Sequence, residues 1–254
     1  MKKNMTGLLR FTATVFALAV TQNTIAMPTN IIDGYIGGID HGYGDVIGST
    51  ANFDISSMDV ERIGNMLSVS INTGFAGKGD NHLFSGYTYD GMGIGYGDLF
   101  LSSSWNPYGT APYTADNSTN GTTWTYAFSL DDRYTDGGSG SLYSLLGDNS
   151  DVLLSEDFLK GAIFRNGQEV AVDTTGKTAI NSSNWNIATG SVNFLIDLTG
   201  TSLEGSDTIA LHWGMTCGND TIEGAYSVPE PTMLGLLAIG LIALGANRRR
   251  NTIN

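Results

Sequence analysis

The chain has 254 residues, a formal net charge of −13, 34 glycines and one cysteine, Cys217. A lone cysteine excludes an intrachain disulfide, and the acidic balance excludes the basic footprint that nucleic-acid binding needs. Large aromatics are plentiful while charged residues make up 15 % of the chain, the composition of a packed domain and not of a disordered one.

The first 26 residues read as a secretion signal. Lys2, Lys3 and Arg10 supply positive charge ahead of and beside the apolar run Phe11 to Val20. That run is about half the roughly 20 residues a membrane-spanning helix needs, which favours a cleaved signal over an anchor. Thr24-Ile25-Ala26 offers small residues for signal peptidase, with cleavage after Ala26.

Residues 27–227 form the exported body. It holds six basic against 24 acidic residues, a formal balance of −18. Period-two alternation recurs along it, and helical periodicity is nearly absent. Strands are expected over 58–63 and 66–71, joined at Gly64-Asn65. Further strands are expected over 124–130, over 162–165 turning at Asn166-Gly167 into 168–172, over 191–198 and over 209–214. Residues 74–97 and 105–122 read as loops. Many short strands with one apolar face predict an all-β antiparallel β-sandwich of jelly-roll or lectin-like type, with a barrel or a β-solenoid as the alternative, though the chain shows no fixed repeat of the kind a solenoid needs.

Three groups of side chains carry candidate chemistry. Asp131, Asp132 and Asp136 sit in a turn with Gly137 and Gly138, and hard oxygen ligands in a flexible loop suit calcium. The same acids also read as solvated turn formers, as do Asp148, Asp151, Glu156 and Asp157. Trp105, Tyr108 and Tyr113 lie in an expected loop, where aromatic faces stack on sugars; core packing accounts for such residues equally well. His212 and Cys217 invite a nucleophile–base reading, but alternation sets His212 opposite Trp213 and nothing fixes its distance to Cys217, so no catalytic residue is assigned.

The last segment reads Val228-Pro229-Glu230-Pro231, then an apolar run over 232–246, then Arg248-Arg249-Arg250. The prolines keep the motif extended, the apolar run is marginally long enough to cross a bilayer as a transmembrane helix, and the arginines hold its end on the cytoplasmic side. This order resembles the PEP-CTERM sorting signal. The resemblance implies recognition by an exosortase and delivery to the cell surface or to exopolysaccharide, with the tail (228–254) anchoring the protein in the membrane before processing. Residues 211–224 and 98–109 also resemble a group of proteins carrying that tail, which implies a shared β domain and no activity.

The expectation is therefore an exported, non-enzymatic structural or adhesive protein of the cell surface or biofilm matrix. A glycan-binding module, calcium-assisted, is the second class. A secreted polysaccharide hydrolase is the third, and it would need two carboxylates about 5 to 10 Å apart across a cleft.

Overall fold

The computed structural model describes residues 28–39, 44–161 and 164–227. The expected signal segment (1–26), the motif Val228–Pro231, the apolar run 232–246 and the arginines 248–250 all lie outside these described residues.

The regular structure of the described residues is mostly β. Its strands are β1 (Thr29–Ile32), β2 (Ile55–Ile63), β3 (Met66–Thr73), β4 (Leu99–Ser102), β5 (Tyr126–Leu130), β6 (Gly137–Ser144), β7 (Val152–Leu154), β8 (Glu169–Val172), β9 (Asn181–Ala188), β10 (Ser191–Asp197), β11 (Thr208–Gly214) and β12 (Thr221–Ser227). Two single-turn α-helices, Thr50–Phe53 and Ser155–Phe158, and three short 3-10 turns, Gly79–Asn81, Ser85–Tyr87 and Ser202–Gly205, complete the regular structure of the described residues. Among the described residues no helix is long and apolar enough to cross a membrane.

Ten strands form one antiparallel sheet in the order β1-β2-β3-β10-β9-β6-β5-β4-β11-β12, and β7 pairs with β8 in a separate ribbon. Where two packed sheets were expected, a single sheet curls until its edges meet. A Cβ at Gly224 of β12 would lie 2.7 Å from Cγ2 of Ile31 on β1, so only glycine admits that approach. Facing stretches of this one sheet then enclose the core, as two sheets do in a sandwich, and the form is nearly a barrel.

Local chemistry accounts for the hairpins. β2 and β3 turn at Gly64, whose φ of +61° is open to glycine at no steric cost, and the register then pairs Ile63 with Met66. The alternation of Leu67, Val69 and Ile71 with Ser68 and Ser70 puts one face of β3 inside and leaves the other polar. The hairpin expected across 162–172 does not form. β8 instead pairs with β7 at Val152↔Val172 and Leu153↔Ala171, and residues 164–166 are not strand. Asn166-Gly167 marks a loop here because the apolar run after it finds its partner 15 residues upstream.

β4, β5 and β11 are buried on both faces, and this positions the site. Their inward residues, including Leu99, Leu101, Phe128, Leu211 and Trp213, join the main core. Their outward residues Phe100, Ala127 and Ala210 join a second cluster with Trp124, Val152 and Val172. The β7–β8 ribbon and the connection 103–125 cover that outer face. Asp98 fastens the cover: its carboxylate accepts from Leu130 N (3.0 Å) and Val172 N (2.9 Å) and pairs with Arg133 at 3.2 Å.

Candidate functional site

Antiparallel register sets His212 of β11 directly opposite Glu223 of β12. Alternation turns both away from Trp213 and Ile222, which belong to the main core, and towards the covered outer face. There His212 Nδ1 lies 3.3 Å from Glu223 Oε2, and His212 Nε2 lies 2.8 Å from the Glu169 carbonyl oxygen. A carbonyl only accepts, so Nε2 carries a proton. The second Glu223 oxygen accepts from Trp105 Nε1 at 2.7 Å and from Thr122 Oγ1 at 2.8 Å. Thr122 Oγ1 in turn accepts from Asn106 N at 3.0 Å. One carboxylate therefore holds both ends of the covering connection to the sheet.

The shell around this pair is aromatic and acidic. Phe100, Trp124 and Tyr35 place their ring centroids 5.8, 5.5 and 6.3 Å from the imidazole. Asp116 enters from the connection, buried, and its Oδ2 has no hydrogen-bond partner among the described residues. Burial pushes the Asp116 carboxyl up to about 7, helped by the Glu223 charge. Burial likewise pushes Glu169 up to about 7, against the opposing pull of His212. Burial alone would lower the His212 pKa, but the Glu223 hydrogen bond and the charges of Glu169 and Glu223 outweigh it, and the net direction is upward. Below about pH 7 the Asp116 and Glu169 carboxyls hold their protons, and the Glu223 hydrogen bond favours the charged form of His212.

The expected site residues fall in several places. Trp105 and Tyr113 stand edge to face at 5.5 Å, and Tyr113 packs against Tyr35 at 6.2 Å, so both help close the cover over Glu223. Tyr108 stands outside it, 53 % exposed. Cys217 belongs to the main core, not to the His212 face, and burial pushes its thiol up to about 12. Asp131 accepts from Ser139 Oγ, Asp132 accepts from Tyr134 N at 3.0 Å, and the Asp136 carbonyl accepts from Ile187 N at 3.0 Å. All three side chains are exposed in the β5–β6 turn. Asp151 of the second acidic run pairs with Lys177, and Asp148 accepts from Ser150 within its own turn.

The acids that do converge were not singled out as a group in the sequence. Asp33, just after β1, Asp45 and Asp220, just before β12, bring carboxylate oxygens within 4.8 Å of one another. Asp220 accepts from Ile55 N at 2.6 Å and Thr221 N at 3.0 Å, and Asp33 Oδ2 has no partner among the described residues. Burial pushes Asp220 up to about 9 and Asp33 up to about 7, and each is raised further by a neighbouring aspartate, Asp33 and Asp45 respectively. Burial also raises Asp45, with Arg165 opposing. The Arg165 guanidinium spends its donors on the carbonyls of Gly37, Gly44, Asp45 and Gly218 and binds none of these carboxylates directly. Three oxygen donors so placed are the ones among the described residues that suit a hard cation; at neutral pH without one, protons relieve the repulsion. Residues this far apart in the chain carry no spacing signal. His212 and Glu223 did carry one: eleven residues across a hairpin set them face to face.

Comparison with known proteins bears on the chain's end. The PEP-CTERM protein-sorting motif matches residues 227–250. No curated protein and no solved structure matches the chain.

Proposed function

We infer that this chain, which carries a PEP-CTERM protein-sorting motif over residues 227–250, is an exported protein handed to an exosortase, and that its β domain then serves a structural or adhesive role at the cell surface or in the extracellular matrix. The motif is the observation that carries the reading. The charge and hydropathy of the two ends support a division into a signal at 1–26, a body at 27–227 and a tail at 228–254.

The body supports a non-enzymatic role. Glu223 and Glu169 are 6 % and 3 % exposed beneath the 103–125 connection, and Asp116 within that connection is 1 % exposed, so a polymer chain cannot reach them. Glu223 is occupied by Trp105, Thr122 and His212, an arrangement that fastens a loop. The acidic, polar outer surface suits a solvated life in a polysaccharide matrix. The glycan-binding reading retains one observation in its favour, the exposed ring of Tyr108 beside the Trp105–Tyr113 pair.

Intact-mass analysis of the protein recovered from the cell surface tests the reading. The expected species begins after Ala26 and lacks the apolar run 232–246. Recovery of the whole 254-residue chain from that fraction would contradict it.

A further inference from the structure

The connection 103–125 joins β4 to β5 over the outer face and contributes no strand to either sheet. Of residues 103–123, two are buried, Asp116 and Thr122, and both are polar. Trp105 and Tyr113 are half-buried. Hydrogen bonds therefore make most of the hold. Trp105 and Thr122 donate to Glu223 towards the two ends. In the middle, Ile36 N donates to the Pro112 carbonyl at 2.9 Å, Gly38 N to the Asp116 carbonyl at 2.6 Å, and Ser118 N to the Gly167 carbonyl at 3.1 Å. A segment with few buried apolar contacts opens at lower cost than a core strand.

Asp116 is the weak point of this hold. It is buried, and its Oδ2 has no hydrogen-bond partner among the described residues. The titratable groups that act on it or feel it come from four elements: Tyr35 just after β1, Glu169 of β8, His212 of β11 and Glu223 of β12. Arg165, packed against Gly38, spends its donors on carbonyl groups. The acids bordering the connection are partnered elsewhere: Glu156 accepts from Gly167 N at 2.8 Å, and Asp151 pairs with Lys177. Ionising Asp116 in place would bury a bare carboxylate oxygen beside the Glu223 charge. Lifting the connection puts that oxygen in water.

We propose that the connection 103–125 is a latch, shut in acid and released as pH rises towards neutral, with Asp116 as its sensor and the rings of Trp105, Tyr113 and Tyr35 as the surface it uncovers. Nothing in the sorting role requires such a latch, so it stands independently of that reading.

The shut latch keeps the Asp116 proton up to about pH 7, and the released latch gives it up at the ordinary 3.8. Burial is the main cause of the difference. The Glu223 charge adds to it, against the backbone of Tyr108 and Asn117 and the charge of His212. Release therefore grows by up to about tenfold per pH unit between the two values and levels off above them. Glu169, raised to about 7, pushes the same way once water reaches it.

Hydrogen exchange of the full chain in nonionic detergent tests the proposal, at pH 5 and pH 7, with rates corrected for the intrinsic effect of pH. Ile36, Gly38 and Ser118 report on the latch, because their N–H groups hold it. Their protection is expected to fall between the two pH values, Asp116 alone accounting for about fiftyfold as one proton with these two pKa values. Val69 and Phe194, paired in the main sheet, exchange only when the sheet opens and stay more protected throughout. In Asp116→Asn, whose amide stays neutral, most of the fall at the three latch amides disappears. Unchanged protection of those amides in the wild type overturns the latch. So does a fall that matches Val69 and Phe194 in rate and size, since the connection would then open only with the whole sheet. A fall that persists in full in Asp116→Asn overturns the sensor. The first two readings need no variant to fold.

Discussion

Glu223 concentrates more of the site's energy than any neighbour, because one buried carboxylate serves Trp105, Thr122 and His212 together. Removing it leaves an indole N–H, a hydroxyl and an imidazole without their acceptor. Glu223→Ala is expected to lower stability by about 3–5 kcal/mol, the range for breaking a buried charged pair. Trp105→Phe, which deletes one donor and keeps most of the ring, is expected to cost about 1.5–3 kcal/mol. Urea unfolding measures both, and equal losses would show that Glu223 matters only through Trp105. This residue was half legible in the sequence. The alternation of β11 gives the face of His212, and the hairpin gives Glu223 as its cross-strand partner, but only the folded connection brings Trp105 and Thr122 onto the same oxygen. Asp33, Asp45 and Asp220 were not legible at all as a group, since their meeting depends on the two sheet edges closing on each other.

At the scale of elements, the cover over the outer face depends on Asp98. It is buried, sits just before β4, and ties Leu130 of β5, Val172 of β8 and Arg133 of the β5–β6 turn to one carboxylate. Asp98→Ala is expected to cost about 3–5 kcal/mol by the same reasoning and to loosen the β7–β8 ribbon first. Hydrogen exchange would then show faster exchange at Val170 and Val172 than in the main core; uniform loss of protection would mean that Asp98 supports the whole sheet instead. Strands with one wet face, such as β3 and β10, were plain in the sequence because apolar and polar residues alternate. β6 was not, because Gly137-Gly138-Ser139-Gly140 offers no apolar residue until Leu142. Crowding requires glycine at two of these positions: a Cβ at Gly140 would lie 2.6 Å from the Phe128 ring, and one at Gly137 would lie 2.9 Å from the Asn186 backbone. The hairpin misread at Asn166-Gly167 has the opposite origin, a strong turn signal whose upstream run lost its pairing to β7.

For the whole molecule, the buried acids set the pH dependence. Asp33, Asp116 and Glu169 have ordinary values of 3.8 to 4.5 and rise to about 7 on folding, and Asp220 rises from 3.8 to about 9. Each binds a proton in the native state that the unfolded chain has released, so its contribution is complete at low pH and is lost as pH rises through the folded value. His212, also raised, acts in the same direction above 6.5. Exposed acids held down by their turns, among them Asp148 and Asp197, oppose this only below their ordinary 3.8. Stability is therefore expected to peak at about pH 4–5 and to fall steadily to pH 9, measured as melting temperature. Calcium held by Asp33, Asp45 and Asp220 would keep those groups ionised in the native state and flatten the fall, and Asp45→Asn would restore it.

The sorting motif at residues 227–250 implies that the C-terminal segment anchors the exported protein in the membrane before processing. Deletion of Pro229–Asn254, followed by fractionation of the producing cells, tests it most directly. The truncated chain is expected to be exported still but released into the soluble fraction, while the intact chain is found with membrane and surface material. Surface attachment unchanged by the deletion would contradict it.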